Sequence, residues 1–397
     1  MKRIDKPGLF GVCELFEGAV DAAVRPEQTV DLAAALGCKS MRVWLHHTDL
    51  LRVGAGGAPE FIPEKLEFYR TLIERLWKKG VRRLTGMNHC YLYPPAFTAR
   101  YGAVPFNVIP LPDGEFYAPF LSLLEAASEL AARAFPEVAQ WEPGNEVNFD
   151  RFIAKPGYPF ENAPREGEGG AGLTYTEGEK AGICADLAFY AARGVRRANP
   201  AARIVLPSPA GGAERTAAFI GAVYEKIESG AFPRGAAAAS VKPRDYFDIL
   251  SYHPYNFDGQ SRLLEAFYDG VQAVAAARGD GGRPVFVTEY GYHDGDLTKF
   301  GLDAREADAR QAAYLIGDYE IFKRLEHVET VHYFRLFDWR EGYGIETDFG
   351  LFSSPAAQTG IIPKAKGLAL FKYFNGPSAD IRPLYRFAKV DIQGDRA

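Results

Sequence analysis

An eightfold alternation constrains this chain more than any other feature. Short apolar or β-branched runs occur at 8–13, 40–45, 81–87, 138–143, 203–207, 246–252, 284–288 and 328–336. Each is followed by a segment whose apolar residues recur with helical periodicity, at 27–36, 63–79, 117–134, 176–198, 213–229, 261–277, 304–325 and 363–373. Runs of the first kind suit buried strands and segments of the second suit helices with one apolar face. Pro63 stands where a first-turn proline is tolerated, Gly37 and Gly80 follow the helices before them, and Asn199-Pro200 ends another. Eight strand-then-helix units are the pattern of a (β/α)8 barrel. A doubly wound sheet is the structural rival, but no GxGxxG follows the first strand and no P-loop lysine is present.

A length of 397 residues suits either two average domains or one barrel with long loops. No composition break divides the chain: the Gly-rich EGEGGAG at 166–172 lies between a strand and its helix, and the one low-complexity run is the alanines at 236–239. We therefore expect a single (β/α)8 catalytic domain over 1–397, with long loops after strands 3, 4 and 8 at 88–116, 147–175 and 338–362. All three lie on the face where such barrels build their sites. With 47% hydrophobic and 24% charged residues, the core needs no metal or disulfide. A net charge of −5 argues against nucleic acid or an anionic membrane as partner, since phosphate binding needs clustered Lys and Arg. Cys13, Cys38, Cys90 and Cys184 show no CxxC pair and no His cluster at metal spacing, which predicts free buried thiols in a reducing compartment. The opening MKRIDKPGLF lacks a signal-length apolar run and no later run reaches membrane length, so the expected location is cytoplasmic. The 28 Phe, 21 Tyr and 4 Trp suit a ligand with apolar faces and hydroxylated edges.

The strand ends are where chemistry is expected. They carry Glu14; Arg42 with His46 and His47; Asn88 with His89; Asn145 with Glu146; Ser208; His253 with Tyr255; Glu289 with Tyr290; and Arg335 with Asp338 and Trp339. Two are carboxylates that end apolar runs, Glu146 after VAQWEPGN and Glu289 after PVFVT. Either alone is most often a solvated loop residue or the partner of a nearby Arg, whereas together, on strands four and seven, they bracket one pocket. Two carboxylates across a pocket suit glycoside hydrolysis, with retention of configuration if they stand about 5–5.5 Å apart. The acid/base then needs a raised pKa and the nucleophile must stay ionised.

The Asn-Glu pair of WEPGNEVNF, the Glu of VTEYG, the Arg on strand two and the His-x-Tyr of SYHPY resemble clan A of the glycoside hydrolases, the retaining (β/α)8 group. Within it, EPGNEVN is similar to the EVWNEPN of family 39, with Gly144 and Val147 where that pattern has Trp and Pro; SYHPY and PKAKGL also resemble families 5 and 39. The resemblance implies that Glu146 is the acid/base and Glu289 the nucleophile. It implies further that Asn145 bonds the sugar 2-hydroxyl, that Arg42 and Tyr255 hold Glu289 ionised and oriented, and that His253 lines the same subsite. Asn88 and His89 would contact the sugar and Trp339 would lie under its ring, with no metal or cofactor. A neighbouring Arg and a donating Tyr do favour a charged carboxylate, and an amide can both donate to and accept from a hydroxyl. Plainer readings stand beside these: Arg42 paired with Glu142 inside the barrel, His253 as a satisfied core histidine, Trp339 as loop packing.

The expected partner is an oligosaccharide or glycoside. Two other classes compete with a glycosidase. One is a carbohydrate-binding barrel without catalysis. The other is a metal-dependent sugar-processing barrel, for which His46, His47, His89, His253 and Glu289 are material, although strand one lacks a His-x-His pair and strand-end acids are few.

Overall fold

The computed structural model describes residues 6, 8–14, 25–102, 108–158, 172–230, 242–255, 262–294, 297, 301–338, 348–354 and 357–389. Eight strands, β1 (Phe10–Glu14), β2 (Ser40–Trp44), β3 (Arg83–Met87), β4 (Gln140–Glu142), β5 (Arg203–Ile204), β6 (Leu250–Tyr252), β7 (Val285–Tyr290) and β8 (Val328–Phe334), form one parallel sheet in the order β5-β4-β3-β2-β1-β8-β7-β6. A parallel bridge between Val205 and Ile249, with Leu206 N donating to Ile249 O at 2.9 Å, joins the two ends and closes the cylinder. This is the expected (β/α)8 barrel.

One helix follows each strand: Pro26–Leu36, Pro63–Lys78, Tyr117–Ala134, Glu177–Ala198, Ala213–Ser229, Arg262–Ala276, Ala304–Arg324 and Ala365–Asn375. Their boundaries follow local chemistry. Thr176 and Glu179 form a reciprocal capping box that starts the fourth, and Gly37, at φ 91°, closes the first in the left-handed conformation that glycine adopts without strain. At Gly194 the fourth helix passes so close to the backbone of Glu125 that no Cβ fits between them.

Two segments differ from expectation. The run 246–252 begins in a short helix, Pro243–Tyr246, and the strand starts only at Leu250. Pro243 presets that helix's first turn, and Arg196 donates to the carbonyls of Arg244 and Asp245 and to the carboxylate of Asp248. After β2 the chain inserts a helical turn, His47–Leu50, and an antiparallel hairpin of Leu51–Val53 with Pro59–Phe61, so a fourth loop is long. The loops after β3 and β4 are tied together by bridges from Ala154 to Val108 and to Thr174. The spans 103–107, 159–171, 339–347 and 355–356 of the three foreseen loops, with them Trp339, and the alanine run 236–239 lie outside the described residues.

The barrel interior is layered. At its floor Arg83 donates to Glu329 O and Thr330 Oγ1, both at 2.9 Å, and Arg203 pairs with Glu329 at 3.0 Å. Val205, Ile249 and Phe286 pack above it, beside the His332 ring, which bonds Ser40 Oγ at 2.7 Å. A Cβ on Gly11 would come within 2.8 Å of both His332 and Ser40. Above these lies a polar layer that leads into the mouth. Among the described residues no helix is long and apolar enough to cross a membrane.

Candidate active site

Alternation along β2 turns Arg42 and Trp44 toward the barrel axis, and it places Arg42 at the centre of the polar layer with no exposed surface. Its Nε donates to Glu142 Oε2 at 2.6 Å, Nη1 to Glu289 Oε1 at 2.6 Å and Nη2 to Asn145 Oδ1 at 2.7 Å. The expected pairing with Glu289 and the plainer one with Glu142 are thus both present. Glu142 lies in the barrel's polar layer, where its other oxygen accepts from Ser208 Oγ at 2.6 Å.

Glu289, near the end of β7, accepts from Arg42 on one oxygen and from Tyr255 Oη on the other at 2.9 Å, with His253 Nδ1 3.7 Å away. Burial pushes its pKa up, but the charges of His253 and Arg42 and the two donated bonds outweigh burial and hold it below the ordinary carboxylate value. The Tyr255 hydroxyl is pushed far above its usual range by burial and by the nearby Glu289 and Glu146 charges, so it stays a donor.

Glu146 follows β4 in a left-handed conformation, φ 44°, the one positive φ at a non-glycine among the described residues. Such a conformation costs about 1–3 kcal/mol and persists where its surroundings enforce it. They do so here. Phe149 N donates back to Glu146 O at 2.8 Å, Asn148 exchanges two bonds with the backbone of Ala210 at 2.7 and 2.9 Å, and the buried Lys180 bonds Asn148 O and Asp150 at 2.9 and 2.7 Å. The turn brings the Glu146 carboxylate, its side chain 15% exposed, to 3.0 Å from His253 Nδ1. Carboxylate oxygens of Glu146 and Glu289 and a His253 nitrogen all lie within 4.8 Å of one another.

His253 Nε2 stands 3.0 Å from Thr288 Oγ1, which bonds Ser208 Oγ. A continuous network therefore runs from Glu289 through Arg42, Glu142, Ser208, Thr288 and His253 to Glu146. Ser208 spends its one proton on Glu142 and Thr288 its own on Ser208, so His253 Nε2 is the donor to Thr288 Oγ1. With Asn145 Oδ1 accepting from Arg42, Nδ2 is the donor end of that amide.

The other candidates fall into two groups. His89 is buried beside Trp44, His46 and Phe152, with ring centroids 5.6, 4.4 and 5.8 Å away. His46 is buried and held neutral, its pKa lowered to about 3 by burial and then by His47 and Arg42; burial also drives His89 far down. Asn88 turns its amide oxygen to His47 N at 2.8 Å and so fixes the loop after β2. Glu14, Arg335, Tyr290 and Asp338 serve neighbouring structure instead. Glu14 pairs with Arg335 at 2.5 Å and accepts from Leu336 N and Phe337 N. Tyr290 bonds Asp318. Asp338, raised to about 6 by burial against the pull of Lys364, accepts from Lys364 and Gly350 N, each at 2.8 Å.

Sequence reading missed the apolar wall made by Trp44, Phe334 and Phe349 around Tyr255 and Cys13. Trp44 alternates with Arg42, which was signal enough; nothing in the sequence marks Phe349. The cysteines are free and buried as expected, but Cys90 does converge with two histidines, since donor atoms of His46, His89 and Cys90 lie within 4.8 Å of one another. Glu146, His253 and Glu289 are as close, yet Arg42 already places a cation on Glu289. Asp294 and Asp338, which with Asp348 make a third cluster, are bridged by Lys364, and Asp294 also pairs with Lys366 at 2.7 Å.

The class defined so far is a (β/α)8 barrel with two carboxylates facing each other across its mouth. Protein-family models and curated proteins give no match to the sequence. Solved structures do. The chain is similar to a family 39 glycoside hydrolase from the gut symbiont Bacteroides cellulosilyticus WH2, with a TM-score of 0.60 and 17% identity over 94% of this chain and 64% of that one. It spans 96% of itself and 99% of β-glycosidase BGL167 at TM-score 0.63 and 18% identity. Against a family 1 β-glucosidase from Thermotoga maritima the values are 0.61 and 14%, over 96% of this chain and all of the other. The protein thus has the barrel fold of these glycoside hydrolases, and covers just under two thirds of the family 39 enzyme.

Proposed function

We propose that the chain 1–397 is one catalytic unit of glycoside hydrolase clan A, a retaining glycosidase that cleaves a β-linked oligosaccharide or glycoside. The observation that carries this reading is that one carboxylate oxygen of Glu146 and one of Glu289 lie within 4.8 Å of each other, which supports the short spacing of retaining enzymes, about 5–5.5 Å between carboxyls, over the roughly 6.5–9.5 Å of inverting ones. The names of the similar proteins, a β-glycosidase and a β-glucosidase, support a β-linked substrate.

Glu289, kept ionised, attacks the anomeric carbon while Glu146 gives its proton to the departing glycosidic oxygen. Glu146 then takes a proton from water, whose oxygen displaces Glu289 and restores the original anomeric configuration. Arg42 and Tyr255 hold Glu289 charged and aimed. Asn145 Nδ2 donates to the 2-hydroxyl, His253 orients both carboxylates, His89 lines the sugar site, Asn88 acts by fixing its rim, and Trp339 remains the expected platform.

The test is a pair of variants assayed on aryl glycosides with a good leaving group. Glu289→Ala abolishes turnover, whereas Glu146→Ala still forms the glycosyl-enzyme and regains product with azide. Proton NMR of the first anomer released reads retention. An inverted anomer, or equal losses that azide does not rescue, refutes the assignment; sugar binding in calorimetry without turnover across a broad panel favours a binding barrel.

A further inference from the structure

We infer that His46, His89 and Cys90 form a site for one borderline or soft transition-metal ion, with Zn²⁺ as its representative, in the wall of the sugar pocket, and that occupancy inhibits turnover. The inhibition rests on the glycosidase reading; the binding does not.

Register brings the three together. Trp44 pairs with Met87, and Leu45 N donates to Met87 O at 2.8 Å, so His46 and His89 leave adjacent strands side by side, both two residues beyond an inward-facing position. Their rings meet edge to face at 4.4 Å over Trp44. Cys90 follows directly, and one donor atom from each of the three residues lies within 4.8 Å of the others. A tetrahedral zinc site with bonds of about 2.0–2.3 Å needs donors about 3.3–3.8 Å apart, a change that side-chain rotation can supply.

Two further observations point to a ligand. His46 is buried, yet its Nδ1 has no hydrogen-bond partner, an arrangement that buried polar atoms avoid unless something outside the chain completes them. The donor set of two imidazoles and a thiol, with the Met87 thioether 3.3 Å from His89 Nδ1, favours Zn²⁺ or copper over Mg²⁺ or Ca²⁺. On binding, the thiol passes its proton to solvent. Three ligands leave a fourth position open, as in sites that also take a small molecule. Because His89 lines the proposed sugar site, an ion held there and a bound sugar exclude each other.

The experiment uses the whole chain after dialysis against a chelator. Calorimetry with ZnCl₂ gives one ion per chain, Co²⁺ gives a thiolate-to-metal charge-transfer band, and Zn²⁺ raises the Tm. Cys90→Ser loses the band and at least about tenfold in affinity, and His46→Ala loses affinity likewise. Zn²⁺ lowers the wild-type rate on a nitrophenyl glycoside reversibly with EDTA, whereas Cys90→Ser keeps the zinc-free rate and resists the ion. Absence of stoichiometric binding, equal binding by both variants, or full occupancy with undiminished hydrolysis overturns the proposal. If no glycoside is turned over, the glycosidase reading fails, and the cobalt spectrum still decides the site.

Discussion

Arg42 divides its guanidinium among acceptors from β4, β7 and the turn after β4. One buried cation therefore serves two buried carboxylates, an arrangement stable only while every member is hydrogen-bonded. Glu289 depends on this. Its pKa lies below the ordinary value because burial, which raises it, is outweighed by His253, Arg42 and the Tyr255 hydroxyl. A depressed folded-state pKa contributes stability that is present above the unfolded value of about 4.3 and is lost as pH falls through the lower folded value. In the mechanism proposed above the same sign governs catalysis: there turnover needs Glu289 ionised, so the acid limb of kcat/KM belongs below the usual carboxylate range. Tyr255→Phe removes one donor and keeps the ring, so its acid limb moves to higher pH in a profile of kcat/KM against pH. An unmoved limb would show that the hydroxyl does not tune Glu289.

The loop after β4 sets Glu146 in place through bonds made by Asn148 rather than by the carboxylates themselves. Asn148 clasps the backbone of Ala210 with two bonds, and Lys180 and Arg215 both donate to Asn148 O, at 2.9 and 3.1 Å. Removing the clasp leaves the left-handed turn at Glu146 less constrained, and in the proposed mechanism, where Glu146 is a reacting group, a small misplacement costs up to about 10²-fold in rate. Asn148→Ala accordingly lowers kcat at least about tenfold while KM moves less and stability falls by about 1–3 kcal/mol; steady-state kinetics beside urea unfolding separates the effects, and a loss confined to stability would refute the positioning role. The eight strand-helix units were legible because each element must bury one face, which writes its period into the sequence. Glu146 and Glu289 stood out as carboxylates interrupting apolar runs. The hairpin after β2 was not legible, since LRV and PEF are three residues each and carry no period. Asn148 meets Ala210 across 62 positions, and His46 meets Cys90 only through the β2–β3 register. Such contacts depend on how strands and loops align, which no local pattern records.

The barrel separates what holds it together from what it does. Its floor is an ion cluster of Arg83, Arg203 and Glu329 under the apolar layer of Val205, Ile249 and Phe286; the carboxylates and their network lie above, toward the C-terminal ends of the strands. In this architecture that end builds the site and the other builds stability. Ile249 is the sharpest test, because it also stands where β5 and β6 close the cylinder. Its backbone carries the closing bonds with Leu206 N at 2.9 Å and Ile204 O at 3.1 Å, while its side chain fills the interior against Val205 and Phe286. Ile249→Ala keeps the backbone bonds and opens a cavity, which costs about 2–5 kcal/mol because a closed cylinder can collapse only partly around it. The urea midpoint should fall with an unchanged slope, as for a change in stability alone, and kcat/KM at room temperature should stay near wild type, since the cavity lies below the Ser208–Thr288 step of the network. A comparable loss of kcat/KM in fully folded protein would mean that strain from the floor passes up through that step, joining the two ends that the layered interior keeps apart.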